Sequence, residues 1–290
     1  MLSVDAYHRP RSLEQALALL APERAVVAGG TDLLVNPRYM AGVREVVDLG
    51  SLPLAFLEVR AGQVRIGANV TMAAVARSPL VRGLADAILS RGAAVCGSPN
   101  IRNMATLVGN VAAALPSADT PPPLLALDAW VLLRGPAGAR RVALQDFFLG
   151  PARADRRPDE LIECVEVPVP PPGTAGGFYK VGRTADDIAT VNAACVLRVE
   201  EGRIVAARVV VGAVAPVPLR VADAEAALLG RAPDEAAVVE AGRLAVAAAQ
   251  PISDQRASAE HRRHLAGVCA TRALRQAAGL APHGAELAHA

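Results

Sequence analysis

The chain has 290 residues, a formal net charge of +2 and a hydrophobic fraction of 52%. That is apolar sequence enough for one large domain or two modest ones, and too much for a disordered segment. The near-neutral charge argues against a nucleic-acid binder that works by neutralising phosphates, and 3% aromatics leave few platforms for stacking bases. No apolar run reaches the roughly 18–20 residues of a membrane span; the best candidate, residues 124–133, is short and contains Asp128. The N-terminus carries Asp5, His8, Arg9 and Arg11 with no apolar segment of a secretory leader, so a cytoplasmic protein is expected.

In chain order, Ser12 and Gln15 have capping-box spacing ahead of an apolar stretch and predict a first helix over 13–20. Residues 25–28 read as a short buried strand that runs into Gly29-Gly30-Thr31-Asp32, and 43–49 as another strand. Residues 55–60 and 63–68 flank Ala61-Gly62 as a hairpin. Thr71 caps a helix to 76, and 79–91 supports one more. Residues 96–123 lack periodicity and are rich in small residues, amides and hydroxyls, which predicts a long ligand-contacting loop. A second hairpin follows over 129–143 around Gly135-Pro136-Ala137-Gly138, then a strand over 161–167. Val167-Pro168-Val169-Pro170-Pro171-Pro172-Gly173 reads as a linker, because proline fixes an extended chain. Beyond it lie strands at 177–181, 189–199 and 203–214, then helices at 222–229, 234–249 and 257–278. The pattern is α+β, ending in a small antiparallel sheet packed on a helical layer.

Among residues that could carry chemistry, Gly29-Gly30-Thr31-Asp32 lets backbone amides approach phosphate oxygens, though it is neither GxGxxG nor a P-loop. Thr106-Leu107-Val108-Gly109-Asn110 offers a hydroxyl, an amide and a glycine, and Asp119 in Pro116-Ser117-Ala118-Asp119 could accept from a sugar-like hydroxyl. The four cysteines (Cys96, Cys164, Cys195 and Cys269) are scattered without CxxC spacing, so no metal or iron–sulfur site is expected on this chain. His261 and His264 sit three apart with Arg262 and Arg263 between them, as on a solvated basic face; His283 and His289 fall in the tail. No triad or Cys/His pairing appears, so no catalytic acid, base or nucleophile is assigned. Lysine occurs once, at Lys180, among 30 basic residues. In a chain that otherwise uses arginine, a retained lysine points to a need for a compact ammonium.

Taken together, these stretches resemble the flavin-binding medium subunit of the molybdenum hydroxylases. That family includes carbon monoxide dehydrogenase medium subunits and the flavin parts of xanthine dehydrogenases. The resemblance is carried by Tyr7-His8-Arg9-Pro10 with the Ser12 helix, by Val26 to Leu33, by Pro99-Asn100-Ile101-Arg102-Asn103 through Asn110 to Asp119, by Phe178-Tyr179-Lys180-Val181-Gly182-Arg183, and by Asp254-Gln255-Arg256-Ala257-Ser258. It implies an FAD-binding domain over 1–168 of the PCMH type, with α/β subdomains at about 1–50 and 51–168, and a C-terminal domain over 174–290.

The same resemblance implies non-covalent FAD. Val26, Val27, Ala28, Gly29, Gly30, Thr31, Asp32 and Leu33 would wrap its pyrophosphate. Thr106, Gly109 and Asn110 would serve the pyrophosphate and ribityl region, Asp119 the ribityl chain, Leu161 and Ile162 the isoalloxazine flank, and Lys180 the flavin, with Gly97 at the start of the second loop. Implied partners are a molybdenum-cofactor large subunit and a [2Fe-2S] small subunit, with NAD or a quinone as electron acceptor. The residues also leave open a self-contained FAD reductase of the same superfamily, or an assembly subunit without flavin. Where the family's second loop commonly carries Gly, this chain has Val108, which restricts positive φ there.

Overall fold

A three-stranded parallel sheet, in the order β1-β3-β2, begins the computed structural model, which describes residues 4–280. Its strands are β1 (Ala6–His8), β2 (Arg24–Val27) and β3 (Glu45–Asp48), with α1 (Leu13–Ala18) between the first two. Ser12 caps α1 by accepting from the Gln15 amide at 3.2 Å, while Gln15 Oε1 accepts from the Arg11 amide at 2.9 Å. The local sequence thus satisfies the helix start from both directions.

The middle of the chain forms a five-stranded antiparallel sheet and most of the short helices. β4 (Leu57–Arg60) and β5 (Gln63–Gly67) turn through Ala61 and Gly62, both at positive φ (51° and 73°), the pairing that a two-residue hairpin of matching twist requires. Then come α2 (Met72–Arg77), α3 (Pro79–Arg82), α4 (Ile88–Ala94), α5 (Pro99–Met104), α6 (Leu107–Ala112) and α7 (Pro121–Ala126). They are followed by β6 (Trp130–Gly135), β7 (Gly138–Ala143), α8 (Leu144–Phe147), the small pair β8 (Phe148–Gly150) and β9 (Arg153–Ala154), and β10 (Leu161–Pro168). The sheet order is β4-β5-β10-β6-β7, so β10 returns to its centre.

Two expectations fail in this region. The helix expected over 79–91 is two helices, because Ala85, Asp86 and Ala87 take left-handed φ values of 41°, 52° and 64° between α3 and α4. The expected loop over 96–123 contains two helices, α5 and α6, and the start of a third, α7. Two of them have side-chain caps: Ser98 accepts from the Ile101 amide, and Thr106 from the Gly109 amide. Each is only six residues long, too short for a visible apolar period.

After the proline-rich segment, β11 (Thr174–Val181), β12 (Val191–Glu200), β13 (Arg203–Gly212) and β14 (Leu219–Arg220) form a second antiparallel sheet, in sequential order. α9 (Ala222–Leu228), α10 (Glu235–Ala248) and α11 (Ala259–Ala277) cover one face. Val191, Ala193, Cys195 and Leu197 point into a core with these helices, while Ala194 and Val196 join the core of the five-stranded sheet and its helices. Period-two alternation therefore gives β12 two buried faces, which explains its nearly unbroken apolar sequence. Arg262, expected on a solvated face of α11, is buried: it donates to the Thr190 carbonyl and to Asp254. His283 and His289 lie outside the described residues.

Candidate functional site

Two backbone segments meet where β2 ends. Val26 and Val27 are strand residues, paired with Val47 and Asp48 of β3, and they deliver the chain into the turn that starts at Ala28. A Cβ added to Gly29 would lie 2.0 Å from the Met104 carbonyl oxygen and 3.0 Å from the Ala105 Cα. Only glycine admits this contact between the first loop and the end of α5. Gly30 follows at φ +68°, a backbone state that L side chains rarely adopt.

The amides of Gly29, Gly30, Thr31, Asp32 and Leu33 make no hydrogen bond among the described residues, although the turn itself is closed by Leu34 N donating to Gly30 O. Successive unpaired N–H groups around a left-handed glycine form a concavity suited to an anion. Burial raises the Asp32 carboxyl pKa from its ordinary value. Leu34, Val35, Ile101 and Met104 leave an exposed apolar rim along the two loops.

From Ala105 the second segment continues directly into Thr106 and α6. Met72 N donates to Ala105 O at 2.7 Å and Leu107 N to Val70 O at 3.1 Å, which pins the entry of α6 against α2. Thr106 is buried and spends its hydroxyl oxygen on the Gly109 amide, at 3.0 Å. Asn110 Oδ1 accepts from the Thr120 hydroxyl at 2.6 Å, so its amide NH₂ remains for another acceptor. Gly97 sits at φ +58° and its carbonyl accepts from Arg102. Val108 lies inside α6 at ordinary helical φ with its side chain in the core, so the position asks for no positive φ.

Lys180 closes the arrangement. From β11 its ammonium donates to Asp119 Oδ2 at 2.7 Å and to the Val95 carbonyl at 2.8 Å. Asn192, directly opposite Lys180 in the β11–β12 register, donates to Asp119 Oδ1 at 3.0 Å. Burial pushes the Asp119 carboxyl up, against the pull of Lys180 and Asn192. The chain's one ammonium thus sits in a desolvated, hydrogen-bonded pair, where its charge is weakly screened.

Gly29, Met104, Thr106, Gly109, Asn110, Asp119 and Lys180 therefore form one strip of linked contacts. Leu161 and Ile162 join no hydrogen bond of it, and share an apolar core with Leu107 and Val108 of α6. They are core residues of β10, 2% and 5% exposed. Sequence reasoning missed the backbone of Met104 and Ala105, the Val95 carbonyl, Thr120 and Asn192. Only Asn192 had a signal, as an amide alone in an apolar strand.

The strip suits FAD on the structure's own terms: free amides and a left-handed glycine for a diphosphate, a free Asn110 amide, and a buried cation–carboxylate pair at the far end. A groove of about 330 Å³ between α10 and α11 involves no residue of either loop. Its Arg243 and Arg275 are held by Glu240 and Glu235. Among the described residues no group of three or more His, Cys, Asp or Glu could share a metal ion, and no helix is long and apolar enough to cross a membrane.

Comparison with known proteins gives two family matches: residues 2–170 match the FAD binding domain in molybdopterin dehydrogenase, and residues 177–277 the CO dehydrogenase flavoprotein C-terminal domain. The chain is similar to the carbon monoxide dehydrogenase medium chain of Afipia carboxidovorans, with 34% identity over 93% of this chain and 96% of that one. It is also similar to the nicotine 6-hydroxylase medium subunit of Paenarthrobacter nicotinovorans, with 35% identity over 89% and 92%. Among solved structures, a carbon monoxide dehydrogenase from Hydrogenophaga pseudoflava superposes with a TM-score of 0.90 at 32% identity, covering 96% of this chain and 98% of that one.

Proposed function

The chain belongs to the FAD-binding flavoprotein subunits of the molybdenum hydroxylase family, and we propose that it holds the flavin through which electrons leave partner iron–sulfur clusters for NAD or a quinone. The observation that carries this reading is the seating of Gly29 against Met104 and Ala105, which brings five amides without a partner among the described residues to the start of the strip that ends at Lys180.

Residues 28–33 bind the pyrophosphate through backbone N–H groups. Asn110 donates its free amide toward the ribityl region. Asp119 orients the Lys180 ammonium, and Lys180 places positive charge at the flavin end of the strip. Leu161 and Ile162 flank the isoalloxazine from the apolar core that β10 shares with α6. FAD, when bound, supplies the exchange between single electrons and an electron pair.

The assembly is a complex with a molybdenum-cofactor large subunit and a [2Fe-2S] small subunit. Substrate oxidation falls to the large subunit, and no side chain of this one is assigned as acid, base or nucleophile. A cytoplasmic site is supported by four unpaired cysteines, three of them buried. Val108 lies inside α6 with its side chain in the core, where a glycine's positive φ is not called for, which supports the flavin-binding reading.

Purification with the two neighbouring subunits tests the proposal. The expected result is a complex that contains FAD, iron and molybdenum and reduces NAD or a quinone with a hydroxylase substrate, while this chain alone shows no substrate oxidation. Robust oxidation by the metal-free chain would overturn the relay reading.

A further inference from the structure

Asn192 is fully buried in β12, on the face that packs against the five-stranded-sheet domain. Both N–H groups of its amide are committed to one loop, with Nδ2 donating to the Ala118 carbonyl at 3.2 Å and to Asp119 Oδ1 at 3.0 Å. Its oxygen, Oδ1, has no hydrogen-bond partner. A buried amide that leaves its acceptor unpaired loses hydrogen-bonding free energy, so something else fixes its orientation.

The cause is visible across the strand pair. Gly212 of β13 is the register partner of Asn192, and a Cβ there would lie 2.1 Å from Asn192 Oδ1. Glycine at 212 makes room for the amide oxygen, and the amide nitrogen is thereby aimed at the loop. One residue further on, Ala213 N donates to the Pro116 carbonyl at 2.8 Å, so the loop from 116 to 119 is held at both ends by the C-terminal sheet.

Lys180 and Asn192 are also register partners, and each takes one oxygen of the same carboxylate. Asp119 is thus oriented through both oxygens, and the Lys180 ammonium is held between it and the Val95 carbonyl.

We propose that Asn192, seated by Gly212, is a positioning residue of the flavin site, which locks Asp119 and through it sets where Lys180 presents its charge to FAD. The inference rests on the reading that Asp119 and Lys180 serve FAD. It adds that the C-terminal domain sets the geometry of that end of the site through an amide that itself touches no cofactor.

The test uses the full chain in its complex, with Asn192→Ala, Asn192→Asp and Gly212→Ala, and with Lys180→Ala and Asp119→Asn as probes of the underlying reading. FAD affinity is measured by titration after flavin release, and the flavin midpoint potential by spectroelectrochemistry. Asn192→Ala is expected to weaken FAD binding about tenfold and to lower the potential in the same direction as Lys180→Ala. Gly212→Ala should do the same with the amide chemically intact, because it displaces Asn192. Asn192→Asp keeps the volume, and its buried carboxyl, 3.0 Å from Asp119, holds a proton that can donate to only one of the two acceptors Asn192 serves, so FAD affinity and potential should fall less than in Asn192→Ala.

A merely structural Asn192 would lower the melting temperature and leave the potential at the wild-type value. If Asn192→Ala and Gly212→Ala leave potential and affinity unchanged while Lys180→Ala moves them, the positioning role is wrong and the FAD reading stands. If Lys180→Ala and Asp119→Asn are silent as well, the reading fails and the inference with it. Should Asn192→Ala not fold, Gly212→Ala, which leaves the amide chemically intact, carries the same comparison.

Discussion

Gly29→Ala adds one methyl group to the backbone contact that joins the two loops. The new Cβ would stand 2.0 Å from the Met104 carbonyl oxygen and 2.8 Å from its carbon. Both are backbone atoms, so no rotamer change relieves the overlap. The loops must retreat by roughly 1.2–1.5 Å to reach ordinary contact, a displacement comparable to a whole methyl radius. Forced overpacking of this kind costs about 1–3 kcal/mol, and that strain falls on the site, because Met104 and Ala105 lead straight into Thr106 and α6. FAD affinity should fall about 5- to 150-fold, with the core sheets intact by circular dichroism. At Gly30 the added Cβ would meet the flexible Leu34 side chain at 3.0 Å, and the penalty comes from φ +68°. Gly30→Ala should therefore cost less, about 1–2 kcal/mol. Fluorescence titration of FAD into the apo-complex measures both. Gly29→Ala with wild-type affinity, or weaker in effect than Gly30→Ala, would refute the claim that loop contact builds the site.

Replacing Lys180 by Ala should lower both FAD affinity and the flavin potential, and Arg should restore them only in part, because a planar fork does not fit a pocket shaped by Asp119 and the Val95 carbonyl; variants identical to wild type would strike Lys180 from the site. Val108→Gly should destabilise by about 2–4 kcal/mol through lost burial and helix propensity, while a tighter FAD complex in that variant would show that the loop does call for glycine. Asp254 should govern part of the acid stability. Burial raises its carboxyl, but the hydrogen bond from Arg262 and the amides of Arg256 and Ala257 outweigh that and hold it at about 2. Its contribution is complete above the ordinary carboxylate value of about 4 and is lost as pH falls toward 2. Asp254→Asn leaves the buried Arg262 without its anionic partner and should cost about 1–3 kcal/mol at pH 7, discounted because Asp254 is 26% exposed. Thermal melts of the two proteins should converge on acidification; a constant gap from pH 7 to pH 2 would show that the pair does not titrate as described.

Where the sequence was readable, one residue type did one local job. Ser12 and Thr71 cap helices, and Ala61-Gly62 turns a hairpin at positive φ. Each signal is complete within four or five residues. Residues 85–87 were not readable, because nothing in Ala-Asp-Ala announces three left-handed residues; their partners lie in β11, where Gly176 packs on the Ala85 carbonyl and donates its amide to the Asp86 carboxylate. The helices between 99 and 126 were missed because six residues give no period.

The site divides the same way. The glycines and Asp119 stood out by type, and Lys180 by its rarity. Their joining did not, since Gly29 meets a carbonyl 75 positions away and Lys180 meets Asp119 across the two sheets' domains. Backbone partners such as Met104 and Val95 leave no trace in residue type. The Leu161 and Ile162 assignments came from resemblance alone, because apolar residues in a buried strand carry no chemical signal of their own.

The most direct measurement is the flavin content of the wild-type chain and Gly29→Ala, each purified in its complex, saturated with FAD and desalted. Absorbance of the bound flavin against protein concentration gives the stoichiometry. The account predicts one FAD for each wild-type chain and a clear loss in Gly29→Ala at equal folded protein. Equal occupancy in both, or no retained flavin in the wild type, would contradict the assignment of FAD to the junction of these two loops.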